Sequence, residues 1–191
     1  MLISRGRELD IVAQVEMIEP YLEIREDLQR GAYASYTAEL LDRFTGTGDE
    51  DLRDLFKLMA ETLQRLCKDD DPRLAVRYYE IRLLDLLGFR PELNECVISR
   101  EPIQPVDQYF SNAGGGVVSP ESANRADGIV PLPMLTLKLM RHLQRSDYRN
   151  VQALEITRAL HDDVERISLG YITFLLERRL QSVDFIRLIR H

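Results

Sequence analysis

Cys96 and Ser99, followed by Ser119 and Ser122, have the spacing of a paired CxxC motif, but only one of the four is a thiol. Two such pairs facing each other across a hairpin hold a tetrahedral zinc when all four are thiolates. A neutral serine hydroxyl is a poor zinc donor, and neither His142 nor His161 has the sequence position to substitute. The expectation is a ribbon without metal, held by Val97, Tyr109, Phe110, Val117 and Val118, in a chain that carries no cofactor. Ser119-Pro120-Glu121 also reads as a helix cap with proline in the first turn.

Other stretches that could do chemistry fall short of a catalytic set. Gly114-Gly115-Gly116 follows no βαβ strand and precedes no Lys-Ser or Lys-Thr pair, so it reads as a tight turn rather than a phosphate loop. His161-Asp162-Asp163 offers a His-Asp pair without further ligands and reads as a solvated helix face. Cys67, beside Lys68, reads as a half-buried apolar filler. No Ser-His-Asp or Cys-His arrangement has supporting context. The chain is therefore expected not to be an enzyme.

Two basic groups remain. Lys138, Arg141, His142, Arg145 and Arg149, with Arg178, Arg179, Arg187 and Arg190 farther on, could contact phosphates if their helices pack side by side. Arg73, Arg77 and Arg82 form the polar edge of an otherwise apolar helix, where an acidic peptide could lie. The competing reading of that edge is local pairing with Asp69, Glu80 and Asp85.

The elements that must position these groups are mainly helical. Residues 8–17 alternate as a half-buried strand with no obvious partner in the chain. One helix is expected after Pro20, with Leu28, Ala32, Tyr36, Leu40 and Phe44 spaced by four, ending at Thr45-Gly46-Thr47-Gly48. A second carries Leu52, Leu55, Phe56, Met59, Leu63 and Leu66 on one face, opening with Asp49, Glu50 and Asp51. The third starts at the Asp71 cap and Pro72 and runs to Gly88; its narrow polar strip makes it the central helix. After Pro91 comes a hairpin-like ribbon. Pro131 and Pro133 open the next helix, with Leu132, Leu135, Leu139 and Leu143 on one face. A last long helix is expected from near Asn150, carrying Ala153 through Phe174 at spacings of three and four, with Ile172, Leu176 and Leu180 adding a second stripe that buries its later half and Gly170 marking a close approach or slight bend; an amphipathic turn over 183–189 follows.

Composition sets the outer limits. The 191 residues suffice for one domain with a real core, and 30% charged residues fit an ordinary globular protein. No apolar run is long enough to span a bilayer, so no membrane partner is expected. Two cysteines are too few for a disulfide framework and point to a reducing cytoplasm. The net charge of −7 hides an asymmetry. Residues 1–130 carry 15 Lys and Arg against 25 Asp and Glu, a balance of −10, whereas residues 131–191 carry 10 against 7, a balance of +3. Any phosphate contact is expected in the last third.

A family likeness rests on several of these stretches in succession. They are Tyr79 through Phe89 with Pro91, Leu93 and Cys96, and the ribbon Phe110-Ser111 through Gly115-Gly116-Val117-Val118-Ser119-Pro120-Glu121-Ser122. Arg5 through Val12, Ala32-Tyr33-Ala34-Ser35-Tyr36 and Glu177-Arg178-Arg179-Leu180-Gln181-Ser182 extend it. In this order they resemble the carboxy-terminal part of the bacterial DNA repair protein RecO family, over nearly the whole chain. The resemblance implies a mainly α fold: one helical domain over 20–191, with a zinc-ribbon-like insertion at 92–130 that has lost its cysteines. Residues 1–19 would be the remnant strand and linker of an OB-fold domain that is otherwise largely absent.

It also implies a cytoplasmic, nucleoid-associated mediator of recombination that binds single- and double-stranded DNA, assists annealing and helps load recombinase. DNA contact would be weakened here by the loss of the OB-fold. A RecR-like partner is implied, as is the acidic, apolar tail of the single-stranded-DNA-binding protein, which gives the Arg73, Arg77 and Arg82 edge a ligand. The alternative is a helical scaffold that has lost DNA binding together with the OB-fold.

Overall fold

Asp71 and Pro72 start the helix around which the rest of the protein packs. The computed structural model describes residues 2–6, 11–45, 52–177 and 180–189, and in it α4 (Pro72–Leu86) follows three helices: α1 (Leu22–Glu26), α2 (Leu28–Phe44) and α3 (Arg53–Lys68). The Asp71 carboxylate accepts from the Arg73 and Leu74 N–H groups at 3.1 and 3.2 Å. Pro72 occupies the first turn, where its missing N–H costs nothing. Every residue from Leu74 to Ile81 is buried, as are Leu83 and Leu84. α2 and α3 pack against α4 on one side, α5 (Met134–Arg145) and α7 (Arg158–Leu176) on the other. α8 (Gln181–Ile189) closes over α2, and its first turn is held by Glu39, whose carboxylate accepts from the Gln181 and Ser182 N–H groups at 3.0 and 2.9 Å.

Several expected elements come out differently. The helix after Pro20 is two helices, because Asp27 is extended and its carboxylate caps a new start by accepting from the Gln29 and Arg30 N–H groups. On α3 the buried set is Leu55, Leu58, Thr62 and Leu66, and Phe56, expected on the core face, is 72% exposed. Residues 49–51 and most of the glycine-marked stop before them lie outside the described residues. The last long helix is also divided. A short α6 (Tyr148–Gln152) is followed by a break, and Thr157 caps α7 by accepting from the Leu160 N–H at 3.3 Å.

The ribbon is a three-stranded antiparallel sheet in which β3 (Gln108–Ser111) lies between β4 (Gly116–Val118) and β5 (Ile129–Leu132). Gly114 and Gly115 belong to the β3–β4 turn, and Gly116 opens β4. Gly116 is forced by a close approach: a Cβ there would lie 2.5 Å from the Glu92 carbonyl oxygen, which accepts from the Val117 N–H. Leu132 is a strand residue, not a helical one. Pro131 is tolerated because β5 is an edge strand, and the helix begins only at Met134, with Leu135 exposed.

At the amino end, the strand expected over residues 8–17 is seen at β2 (Ile11–Gln14), with residues 8–10 outside the described set. It is not without a partner, since β1 (Leu2–Ser4) pairs with it antiparallel. Nor is it half-buried, since all four of its residues are exposed. Among the described residues no helix is long and apolar enough to cross a membrane.

Candidate nucleic-acid interface

The two groups of cations have opposite surroundings. On α4, Arg77 and Glu80 belong to the core rather than to a polar strip, with side chains 5% and 0% exposed. The Arg77 guanidinium reaches Glu80 at 3.1 Å and Glu165 of α7 at 3.8 Å, and the Tyr36 hydroxyl donates to Glu80 Oε1 at 2.6 Å. Burial alone would lower the Arg77 pKa, but Glu80 and Glu165 hold it above its ordinary value. Burial, then the Glu80 charge, push the Tyr36 phenol well up. Arg73 turns to α7 as well, 2.5 Å from Asp162 and 3.6 Å from Glu165.

Arg82 points elsewhere, to Asp85 at 3.5 Å and to the Gln144 carbonyl on α5 at 3.0 Å. The three arginines therefore do not form one exposed edge, and Arg77 has no surface to offer a peptide. Local pairing accounts for Arg77 with Glu80 and Arg82 with Asp85. Asp69 instead accepts from the Tyr148 hydroxyl and, at 3.0 Å, from Gln152.

His161 is buried, not a solvated face, because α7 packs its first turn against the start of α4: Nε2 lies 2.8 Å from Asp71 Oδ2. Burial would raise the Asp71 carboxyl, but the His161 hydrogen bond and charge, with the two capping N–H groups, bring it below its ordinary value. Asp162 faces Arg73, and Asp163 faces Arg166 at 3.0 Å. Sequence reasoning missed Glu165 altogether; its only trace was the i,i+3 spacing from Asp162.

α5 presents the open group. Lys138, Arg141 and Arg145, spaced by three and four, lie on one face while Leu137, Met140 and Gln144 are buried. Lys138, Arg145 and, on α6, Arg149 are exposed, and among the described residues none of them joins an ion pair. Arg141 is half-buried, its Nε donating to the Leu93 carbonyl at 2.8 Å. Burial lowers the Arg141 pKa, and the neighbouring Arg145 charge adds to that against an opposing Glu92. Arg178, Arg179 and Arg190 lie outside the described residues, and Arg187 is exposed, 3.9 Å from Asp184.

The four ribbon positions are gathered into one hydrogen-bonded cluster. Cys96 is fully buried, and its sulfur accepts from the Ser119 N–H at 3.3 Å and the Ser99 N–H at 3.5 Å. Ser119 and Ser122 join through their hydroxyls at 3.3 Å, so the Ser119 side chain turns to its neighbour and makes no cap hydrogen bond. Burial would push the Cys96 thiol up, but hydrogen bonds from Ser119, Ser99 and Ile98 overcome it and bring the pKa down to about 6. One thiol and three hydroxyls do not fit a tetrahedral zinc. Among the described residues no group of three or more His, Cys, Asp or Glu is placed to hold a metal.

The fold thus defines a helical bundle with an inserted three-stranded sheet and an open basic face on α5. Residues 25–184 match the family model described as Recombination protein O C terminal. The DNA repair protein RecO of Dehalococcoides mccartyi strain 195 is 32% identical over 181 residues, covering 95% of this chain and 71% of the relative. That of Symbiobacterium thermophilum is 33% identical over 187 residues, covering 97% and 74%, and that of Pelotomaculum thermopropionicum is 33% identical over 186, covering 97% and 71%. The chain belongs to the RecO family.

Proposed function

We propose that the protein is a DNA repair factor that works by binding rather than by catalysis, as a mediator that assists single-strand annealing and recombinase loading. Relatives named for DNA repair support the repair role. The observation that carries nucleic-acid contact is the face of Lys138, Arg141 and Arg145, left open on a chain whose net charge is −7. Cations in such a place meet phosphate without being neutralised first. A RecR-like partner and the acidic, apolar tail of a single-stranded-DNA-binding protein belong to the same proposal. Of the arginines considered for that tail, Arg73 lines an open groove, about 520 Å³ in volume, beside Leu28, Arg158 and Ile189.

The test is fluorescence anisotropy of a labelled single-stranded oligonucleotide at two salt concentrations. Binding at low salt that weakens steeply at high salt is expected. Absence of binding at low salt would leave the chain as a helical protein-interaction scaffold.

A further inference from the structure

Arg73 stands between two surroundings. On one side it lines the open groove with Leu28, Arg158 and Ile189. On the other its Nη2 meets two carboxylates of α7, Asp162 at 2.5 Å and Glu165 at 3.6 Å. A guanidinium carries five N–H donors, and this one engages a single nitrogen. Its Nε is buried without a hydrogen-bond partner, and its Nη1 makes no hydrogen bond among the described residues. Arg73 is therefore held but not saturated.

α7 supplies both the second cation of the groove and the acid that holds the first. Arg158 opens the helix and Asp162 follows one turn later, a spacing at which the two could pair with each other. Arg158 is exposed and joins no ion pair among the described residues, and Asp162 turns to Arg73 instead. Asp27, which also lines the groove, is turned to the Gln29 and Arg30 N–H groups and to the Arg30 guanidinium at 3.6 Å. The groove thus presents two guanidiniums beside Leu28, which is 66% exposed.

Asp162 can be given up without loss of the fold. Its side chain is 55% exposed, against 18% for Glu165. Without it Arg73 keeps Glu165, and the first turns of α4 and α7 stay joined through His161 and Asp71 at 2.8 Å. Along this seam the carboxylates of Asp71, Glu80, Asp162 and Glu165 outnumber the guanidiniums of Arg73 and Arg77, so the loss of one leaves no cation uncompensated.

We propose that Asp162 is an internal competitor for Arg73. Without a partner it occupies the guanidinium; an acidic, apolar peptide entering the groove takes Arg73 and Arg158 while Asp162 swings into solvent. The inference rests on the reading of this groove as the seat of an acidic partner, and adds to it the residue that sets the affinity. A ligand carboxylate that meets Arg73 alone exchanges one ion pair for another, whereas a ligand that also engages Arg158 gains a second. The groove should therefore select peptides that carry several acids.

Fluorescence anisotropy of a labelled peptide of Glu and Leu residues tests this on the full chain. Asp162→Asn and Asp162→Ser are each expected to bind it about 2- to 10-fold more tightly than the unaltered chain, and Asp162→Glu about equally. Arg158→Gln should weaken binding about 3-fold, in the unaltered chain and in the Asp162→Asn background alike. A matching peptide of Gln and Leu residues should gain nothing from Asp162→Asn. An acidic peptide that the unaltered chain binds, and that the Asn and Ser variants bind no more tightly, overturns this inference and leaves the groove reading standing. An equal gain with the neutral peptide also overturns it, since that reports loosened packing and not a released charge. Absence of binding by the unaltered chain and by every Asp162 variant removes both readings.

Discussion

Arg73 and Arg77 on α4 and Lys138, Arg141 and Arg145 on α5 look alike in sequence, as cations at helical spacing beside apolar residues. The first pair is closed by carboxylates of α7, Asp162 and Glu165, which arrive through packing of distant segments. Among the described residues Lys138 and Arg145 of α5 join no ion pair, and Arg141 turns inward to a backbone carbonyl. Spacing on one helix says which cations share a side. Whether that side becomes an interior or an interface is decided by what the rest of the chain lays against it. The Cys96 cluster is a second closed site, in which N–H groups of Ser119 and Ser99 stand where a cation would otherwise balance the sulfur.

The contrast breaks most visibly at Arg77. Arg77→Met leaves Glu80 charged in the core and is expected to cost about 3–5 kcal/mol in urea unfolding. Arg145→Ala should stay within about 0.5 kcal/mol. A tolerated Arg77→Met that also weakened oligonucleotide binding would reverse the assignment of closed and open groups. Next in size, Lys138→Ala with Arg145→Ala should lower oligonucleotide affinity and reduce the salt slope by about 1 to 2, while the melting temperature holds. An unchanged slope would mean that the open face meets no phosphate.

Acid should loosen the closed sites gradually. Glu39 and Asp71 sit below their ordinary values of 4.5 and 3.8. Burial raises both, and it is outweighed for Glu39 by the Ser182 and Gln181 hydrogen bonds and for Asp71 chiefly by His161. Because the folded values are depressed, their contribution is fully present above the ordinary values and is lost as pH falls through the lower folded ones. Glu39→Gln should flatten that part of the stability profile in chemical unfolding at pH 3 to 6; an unaltered profile would show that the α8 cap is not the acid-sensitive element. The smallest effect belongs to the ribbon. A chelator should leave the melting temperature unchanged and the purified chain should carry no stoichiometric zinc, whereas Ser99→Cys, Ser119→Cys and Ser122→Cys together should bind one zinc per chain.

Much of the architecture was legible because its causes are local. Asp71-Pro72, an apolar run on most sides and Gly88 define α4 without reference to anything else. The divided helices had local signals too, in the capping residues Asp27 and Thr157, but apolar spacing ran across both breaks and hid them. Pro131 was misleading because proline suits a first helical turn and an edge strand equally well, and only pairing with β3 decides between them. Phe56 and Leu135 fit a core stripe by spacing, yet both are exposed among the described residues. The candidate site divided the same way: the α5 cations were readable from one helix, while the enclosure of Arg77 by Glu165 and of His161 by Asp71 depends on contacts between distant segments.

Glu39 receives the start of α8 across more than 140 positions of chain. That contact has a consequence for synthesis. Tyr36 on α2 lies beside Val183 and Ile186, so part of the core stays uncovered on the ribosome until α8 has emerged. A chain stalled before residue 181 should be held open and prone to associate, and should become compact only when the last helix docks.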